Sequence, residues 1–208
     1  MDKPMTASEK SITDGQIENL VDKFRAALRK HRTEIPSEVA QQVLGIESIG
    51  RDMYSIVRTR VEALSTMVVR TASVDRSRTP QQVLAATNRK QYVTDSAVAS
   101  MPRGTSETAE TVFFKLNLKS GWISDEDLDK EYSSRGLEPE YPDSLAAINE
   151  ADPSFADDRP NCTHWKDAGG KWCYAAFDRW DDERDVGVYR DGHGWNDGWW
   201  FAGRRKST

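Results

Sequence analysis

Cysteine and long apolar runs are scarce in this chain of 208 residues, and each scarcity removes a class of protein. With only Cys162 and Cys173, the disulfide framework of small secreted domains is out of reach. The two flank a predicted hairpin, where they either pair across it or sit reduced and buried, the commoner state in an unexported chain. No stretch approaches the roughly 20 apolar residues that span a bilayer, so direct membrane insertion is not expected. The opening MDKPMTASEK lacks the apolar core of a signal peptide, and synthesis in the cytoplasm follows as an expectation. A basic excess is missing too: the net charge is −5, which argues against nucleic-acid binding, a task that leans on basic patches. Arg204, Arg205 and Lys206 make a short basic tail that reads as solvated.

What is present describes a soluble globular protein, 37% hydrophobic and 30% charged, long enough to bury a core. Residues 1–12 are polar and read as a disordered tail. Thr13 and Gln16 form a capping box, after which Ile17, Leu20, Val21, Phe24, Ala27 and Leu28 recur at helical spacing. With helices over 36–44 and about 46–58, residues 13–60 make a helical segment, a surface through which the chain can form a homo-oligomer. Residues 61–208 form the main domain. TMVVRTASV (66–74) and TVFFKL (111–116) read as strands. Thr79-Pro80 and Gln82 open a short helix, Ser124 caps another stopped by Gly136, and a further helix covers 144–150. Six of the seven tryptophans then fall after residue 160, among the short strand-like runs THWKD, KWCYAAF, RDVGVYR and WWFAGRRK. Strands this short need large side chains to stay ordered, and tryptophan supplies the area.

The segment 178–198, DRWDDERDVGVYRDGHGWNDG, uses few residue types, sorted by position. Arg184, Val186, Val188 and Arg190 share one parity, and Asp185, Gly187, Tyr189 and Asp191 the other. A period of two separates the faces of a β-strand, so one face is a scaffold and the other a mixed polar display. An Asp/Gly-rich turn region would use the same residues for backbone reasons; the strict parity and the tryptophan framing favour a display. The codons point the same way. Asp, His and Tyr are each one first-base change from an AAC-type Asn codon, and Gly is reached by changing both adenines.

The closing segment, from KWCYAAF through FDRW, ER, V, V, R and W to WWFAGRRK, resembles the variable proteins of diversity-generating retroelements, and residues 61–208 are similar to the C-type lectin-like fold. In those systems, phage or bacterial, an error-prone reverse transcriptase copies a template, mutating at adenines, and the product replaces the end of the target gene. The resemblance is fullest over residues 160–206, thinner over 66–159 and absent from the first sixty. It implies an α+β domain of short Trp-rich antiparallel strands whose first and last strands, 66–74 and 199–206, pair. It also implies a receptor-type binding protein with a hypervariable surface of Asp178, Asp181, Asp185, Gly187, Tyr189, Asp191, Gly192, His193, Gly194, Asn196, Asp197 and Gly198. The buried frame would be Trp180, Arg184, Val186, Val188, Arg190, Trp195, Trp199 and Trp200.

Three other readings compete. Trp195-Asn196-Asp197 matches a tripeptide of calcium-dependent sugar-binding lectins, but its upstream partner is only approximated by Glu138-Pro139-Glu140. Cys162, His164, Cys173 and His193 are zinc-type ligands at a spacing that matches no structural zinc site. A phage-particle component with an incidental polar strand face is the third. Paired acids such as Asp181 and Asp182 lack a positioned partner for acid–base chemistry, and His31 reads as helix surface. The expectation is therefore no enzyme, no cofactor and no metal. The ligand is expected to be a macromolecule, protein or glycan, met on a phage particle or on a cell surface reached through a partner.

Overall fold

The computed structural model describes residues 12–64, 66–118, 121–190 and 194–206 and divides the chain into two compact units, Met1–Ser65 and Thr66–Thr208. In the first unit α1 (Asp14–Lys30) starts at the Thr13–Gln16 capping box and is followed by α2 (Ser37–Leu44) and α3 (Ile49–Leu64). No residue of α1 is buried, and its apolar stripe of Ile17, Leu20, Val21, Phe24 and Leu28 stays exposed. Among the described residues no helix is long and apolar enough to cross a membrane.

The second unit is α+β. In chain order it contains β1 (Met67–Ser73), α4 (Pro80–Ala86), β2 (Lys90–Val93), α5 (Asp95–Ala99), β3 (Thr108–Lys115), α6 (Asp125–Ser134), β4 (Leu137–Pro139), α7 (Pro142–Ala151) and α8 (Phe155–Asp158). The last four strands are β5 (Asn161–Lys166), β6 (Trp172–Trp180), β7 (Glu183–Tyr189) and β8 (Trp200–Arg205). One mixed sheet holds them in the order β1-β3-β8-β5-β6-β7-β2, with β4 also paired to β8.

The expected pairing of 66–74 with 199–206 does not form. β3 lies between, antiparallel to β1 on one side and to β8 on the other. Burial explains the exchange: Val112, Phe113 and Phe114 are fully buried, a run covered on both faces that only an interior strand can accommodate. β1 alternates buried Val68 and Ala72 with exposed neighbours, the pattern of an edge strand covered on one face.

Each sheet face carries its own core. One gathers Phe113, Leu145, Ile148, Phe155, Cys173, Phe177, Val186 and Val188 with residues of α4, α5, α7 and α8; the other gathers Phe114, Leu128, Tyr132, Cys162, Trp195 and Phe201, with α6 as its helix. The register of β5 on β6 sets Cys162 opposite Ala176 and Cys173 opposite Trp165, so the two thiols point to opposite faces, and both are free. A disulfide between them is sterically excluded.

Candidate functional site

The display segment up to Tyr189 closes the β6–β7 hairpin, turned by Asp181 and Asp182 at φ of 44° and 68°. Two consecutive positive φ values make the turn whose twist suits a two-residue hairpin, and Asp tolerates that region better than most residues. The register sets Tyr174 opposite Tyr189, Ala176 opposite Gly187 and Asp178 opposite Asp185. Val186 and Val188 are fully buried on the other face, against Ala175 and Phe177. β2 then runs parallel to β7 and places Tyr92 beside Gly187.

These residues, with Trp180, Trp195 and Trp199, line a cavity of about 280 Å³. Its rings brace one another: Tyr174 lies 5.6 Å from Tyr189 and 5.5 Å from Trp195, and Trp195 meets Trp199 nearly at right angles. Gly187 keeps the floor low. A Cβ there would come within 2.9 Å of the Tyr189 ring, so any larger residue at 187 displaces that ring.

Two carboxylates face each other across the strands. Oδ1 of Asp185 is buried without a hydrogen-bond partner. Burial, and after it the Asp185 charge, pushes the Asp178 carboxyl above its usual range. The charge of Arg89 offsets part of this repulsion, although its nitrogens donate elsewhere. Buried Arg89 donates to the main-chain oxygens of Asp178 and Pro153, both at 2.9 Å. Lys90 pairs with Glu183 at 2.6 Å and lies 5.4 Å from the Tyr92 ring.

Of the twelve display positions, Asp178, Asp185, Gly187 and Tyr189 meet at the cavity. Asp181 is exposed in the hairpin turn. Asn196, Asp197 and Gly198 form a turn between the cavity-lining Trp195 and Trp199, closed by the Gly198 amide donating to Asn196 Oδ1 at 2.9 Å. Gly194 is exposed, and a Cβ there would lie 3.1 Å from the Trp122 ring. Asp191, Gly192 and His193 lie outside the described residues.

The frame needs correction at two positions. Trp180 is 71% exposed and lines the cavity. Its parity on β6 is that of Asp178, so strand geometry places it on the display face whatever its residue type. Arg190 is exposed too, although it pairs with Asp167 at 3.0 Å. Arg184 turns to the other face and grips Asp157 of α8 with two nitrogens. Trp195 and Trp200 are buried and Trp199 half-buried. Sequence reasoning missed Tyr92 and Tyr174 as cavity walls. Tyr174 carried a signal, since it alternates with Cys173 and Ala175 on a strand that precedes the display.

A second polar cluster supports this one from beneath. His164 is buried, with Nδ1 at 2.8 Å from Asp125 and Nε2 at 3.0 Å from Asp129. Trp172 stacks on the imidazole at 4.7 Å, and the Trp195 indole donates to the same Asp125 oxygen at 2.8 Å. Both ring nitrogens can donate only in the imidazolium form. Burial opposes that charge, but the bonds to the two aspartates outweigh it and raise the His164 pKa. The stability this adds is complete below the unfolded value of about 6.5 and is lost as pH rises through the raised native value. Melting temperature measured from pH 6 to 9 should therefore fall in the native protein and change less in His164→Leu.

The residues of the competing readings are dispersed. Cys162 and Cys173 point to opposite faces, and His193 lies outside the described residues. Glu138 pairs with Arg204, Glu140 accepts from Thr111 at 2.7 Å, and Trp195 is buried beneath the cavity. Among the described residues no group of three His, Cys, Asp or Glu side chains is placed to hold a metal ion. The cavity itself offers ring faces, two carboxylates and a low floor, which is equipment for holding a ligand. In comparison with known proteins, no family model, curated protein or solved structure matches the chain.

Proposed function

We propose that residues 66–208 form a ligand-binding module of the C-type lectin-like kind, whose segment 178–198 is rewritten by a retroelement reverse transcriptase to vary binding specificity. The observation that carries this reading is the division of β7. Asp185, Gly187 and Tyr189 join Asp178 at an open aromatic cavity, while Val186 and Val188 bury in the core behind it. Changes at fully exposed positions such as Asp181 alter stability by less than about 0.5 kcal/mol, whereas truncating a buried Trp costs roughly 3–5. Only a surface so divided can be rewritten repeatedly without unfolding its carrier. Such a module acts where ligands are met, on a phage particle or on a cell surface reached through a partner.

The test lies in the DNA around the gene. Sequencing should find a near-copy of the stretch encoding residues 177–205, differing almost only at adenines and next to a reverse-transcriptase gene. No such copy, or one differing at all four bases alike, would end the diversification reading. Binding is tested separately at Tyr189, whose residue type dominates many interfaces and whose ring forms a cavity wall. Peptides selected from a random display library against the native protein should bind Tyr189→Ala at least about tenfold more weakly, a loss of about 1.4 kcal/mol or more. The melting temperature should fall by no more than about 4 °C, because the ring is only partly covered. An unfolded variant would mean that Tyr189 belongs to the scaffold.

A further inference from the structure

We propose that the cavity between β2, β6 and β7 is a socket for one arginine side chain of a partner protein. The inference rests on the ligand-binding reading of this face and names what enters it. Aromatic rings present faces that attract cations, and Tyr92, Trp180, Tyr189 and Trp199 all line the cavity. Asp178 and Asp185 stand directly opposite on neighbouring antiparallel strands. Like charges so placed repel, their Cβ atoms about 4.5–5.5 Å apart, and a cation set against both relieves the repulsion. Oδ1 of Asp185 is a buried acceptor that lacks a donor. Leaving such an acceptor unpaired is costly, and a ligand N–H that draws the carboxyl round toward the cavity removes the cost.

Guanidinium suits this geometry better than ammonium. Its planar fork can donate to two carboxylates at once while its face lies on a ring, and it sheds water more readily. The local cations meet the demand only in part: Arg89 acts on both carboxylates through its charge while its nitrogens donate to main-chain oxygens, and Lys90 is held by Glu183. Size narrows the class further. About 280 Å³ lies at the small end of ligand pockets and is large enough to take a single long side chain. The surroundings favour a polypeptide as its source, since Trp180 stands 71% exposed at the end of the hairpin beside exposed Asp181.

Nuclear magnetic resonance titration of the whole protein tests this, read at the indole N–H signals of Trp180 and Trp199, with the amides of N-acetyl-arginine, N-acetyl-citrulline and N-acetyl-lysine as probes. The arginine probe should saturate at millimolar concentration. Citrulline, which keeps the shape and loses the charge, should bind at least about tenfold more weakly, and lysine more weakly than arginine. Asp178→Asn with Asp185→Asn should abolish saturation and leave the protein folded, the repulsion removed offsetting the attraction to Arg89 that is lost. Equal binding of citrulline, equal binding of lysine, or saturation that survives the double substitution would overturn the arginine assignment. If no probe saturates while Tyr189→Ala still weakens the selected peptides, the socket is wrong and the binding face stands. If those peptides are indifferent to Tyr189→Ala as well, both ideas fall.

Discussion

His164→Leu is expected to cost the second unit about 3–5 kcal/mol and to lower its melting temperature by about 10–20 °C. The substitution roughly keeps the volume of a fully buried ring and removes both of its donors. Asp129 is half-exposed and can turn to water. Asp125 is only 4% exposed, so its buried carboxylate loses the cation that offsets its charge and keeps the neutral Trp195 indole as a donor. The effect should be traceable to that charge. Adding Asp125→Asn to His164→Leu should recover part of the loss, since removing both members of a buried pair is far milder than removing one. A double variant less stable than His164→Leu alone would show that the cluster acts through packing instead.

Trp195→Ala should be comparably severe, about 3–5 kcal/mol, read as a lower midpoint of denaturant unfolding. The indole is fully buried, meets Tyr174 and Phe201 edge to face at 5.5 Å and 5.7 Å, and donates to Asp125. Its main chain forms a two-way bridge with Ile123, both bonds at 2.9 Å. Trp195→Phe separates the contributions by keeping most of the ring and losing the donor, at a cost of about 1.5–3 kcal/mol. The control is Trp180→Ala, which should change stability by less than about 0.5 kcal/mol because that ring is 71% exposed. Equal effects at 195 and 180 would contradict the division between scaffold and display.

Local patterns were legible in the sequence wherever the physics was local. Thr13 with Gln16 and Thr79 with Gln82 form the reciprocal caps that their spacing announces. The alternation from Arg184 to Tyr189 likewise appears as one buried and one open strand face. Long-range pairing was not legible. KQYV, residues 90–93, has too few apolar positions to read as a strand and becomes one because it lies beside β7. The assignment of Trp180 to the frame followed residue type, where position decides. His164 stood out only as a candidate zinc ligand near Cys162. Its partners lie 39 and 35 residues upstream, as Asp125 and Asp129 one turn apart on α6. That spacing was a usable signal, because acids four apart on a helix share a face.

The place of β8 in the sheet has a consequence for errors in the gene. It is the seam, bonded to β3, β4 and β5 at once, and it follows directly after the display segment. A stop codon or a shifted reading frame anywhere in 178–198 therefore removes the strand that joins the two halves of the sheet. β3 and β5 would be left with bare edges, prone to pair with other chains or to be degraded. Under the proposed diversification, the sheet would therefore remove frame-shifted products as unfolded chains, whatever their display face.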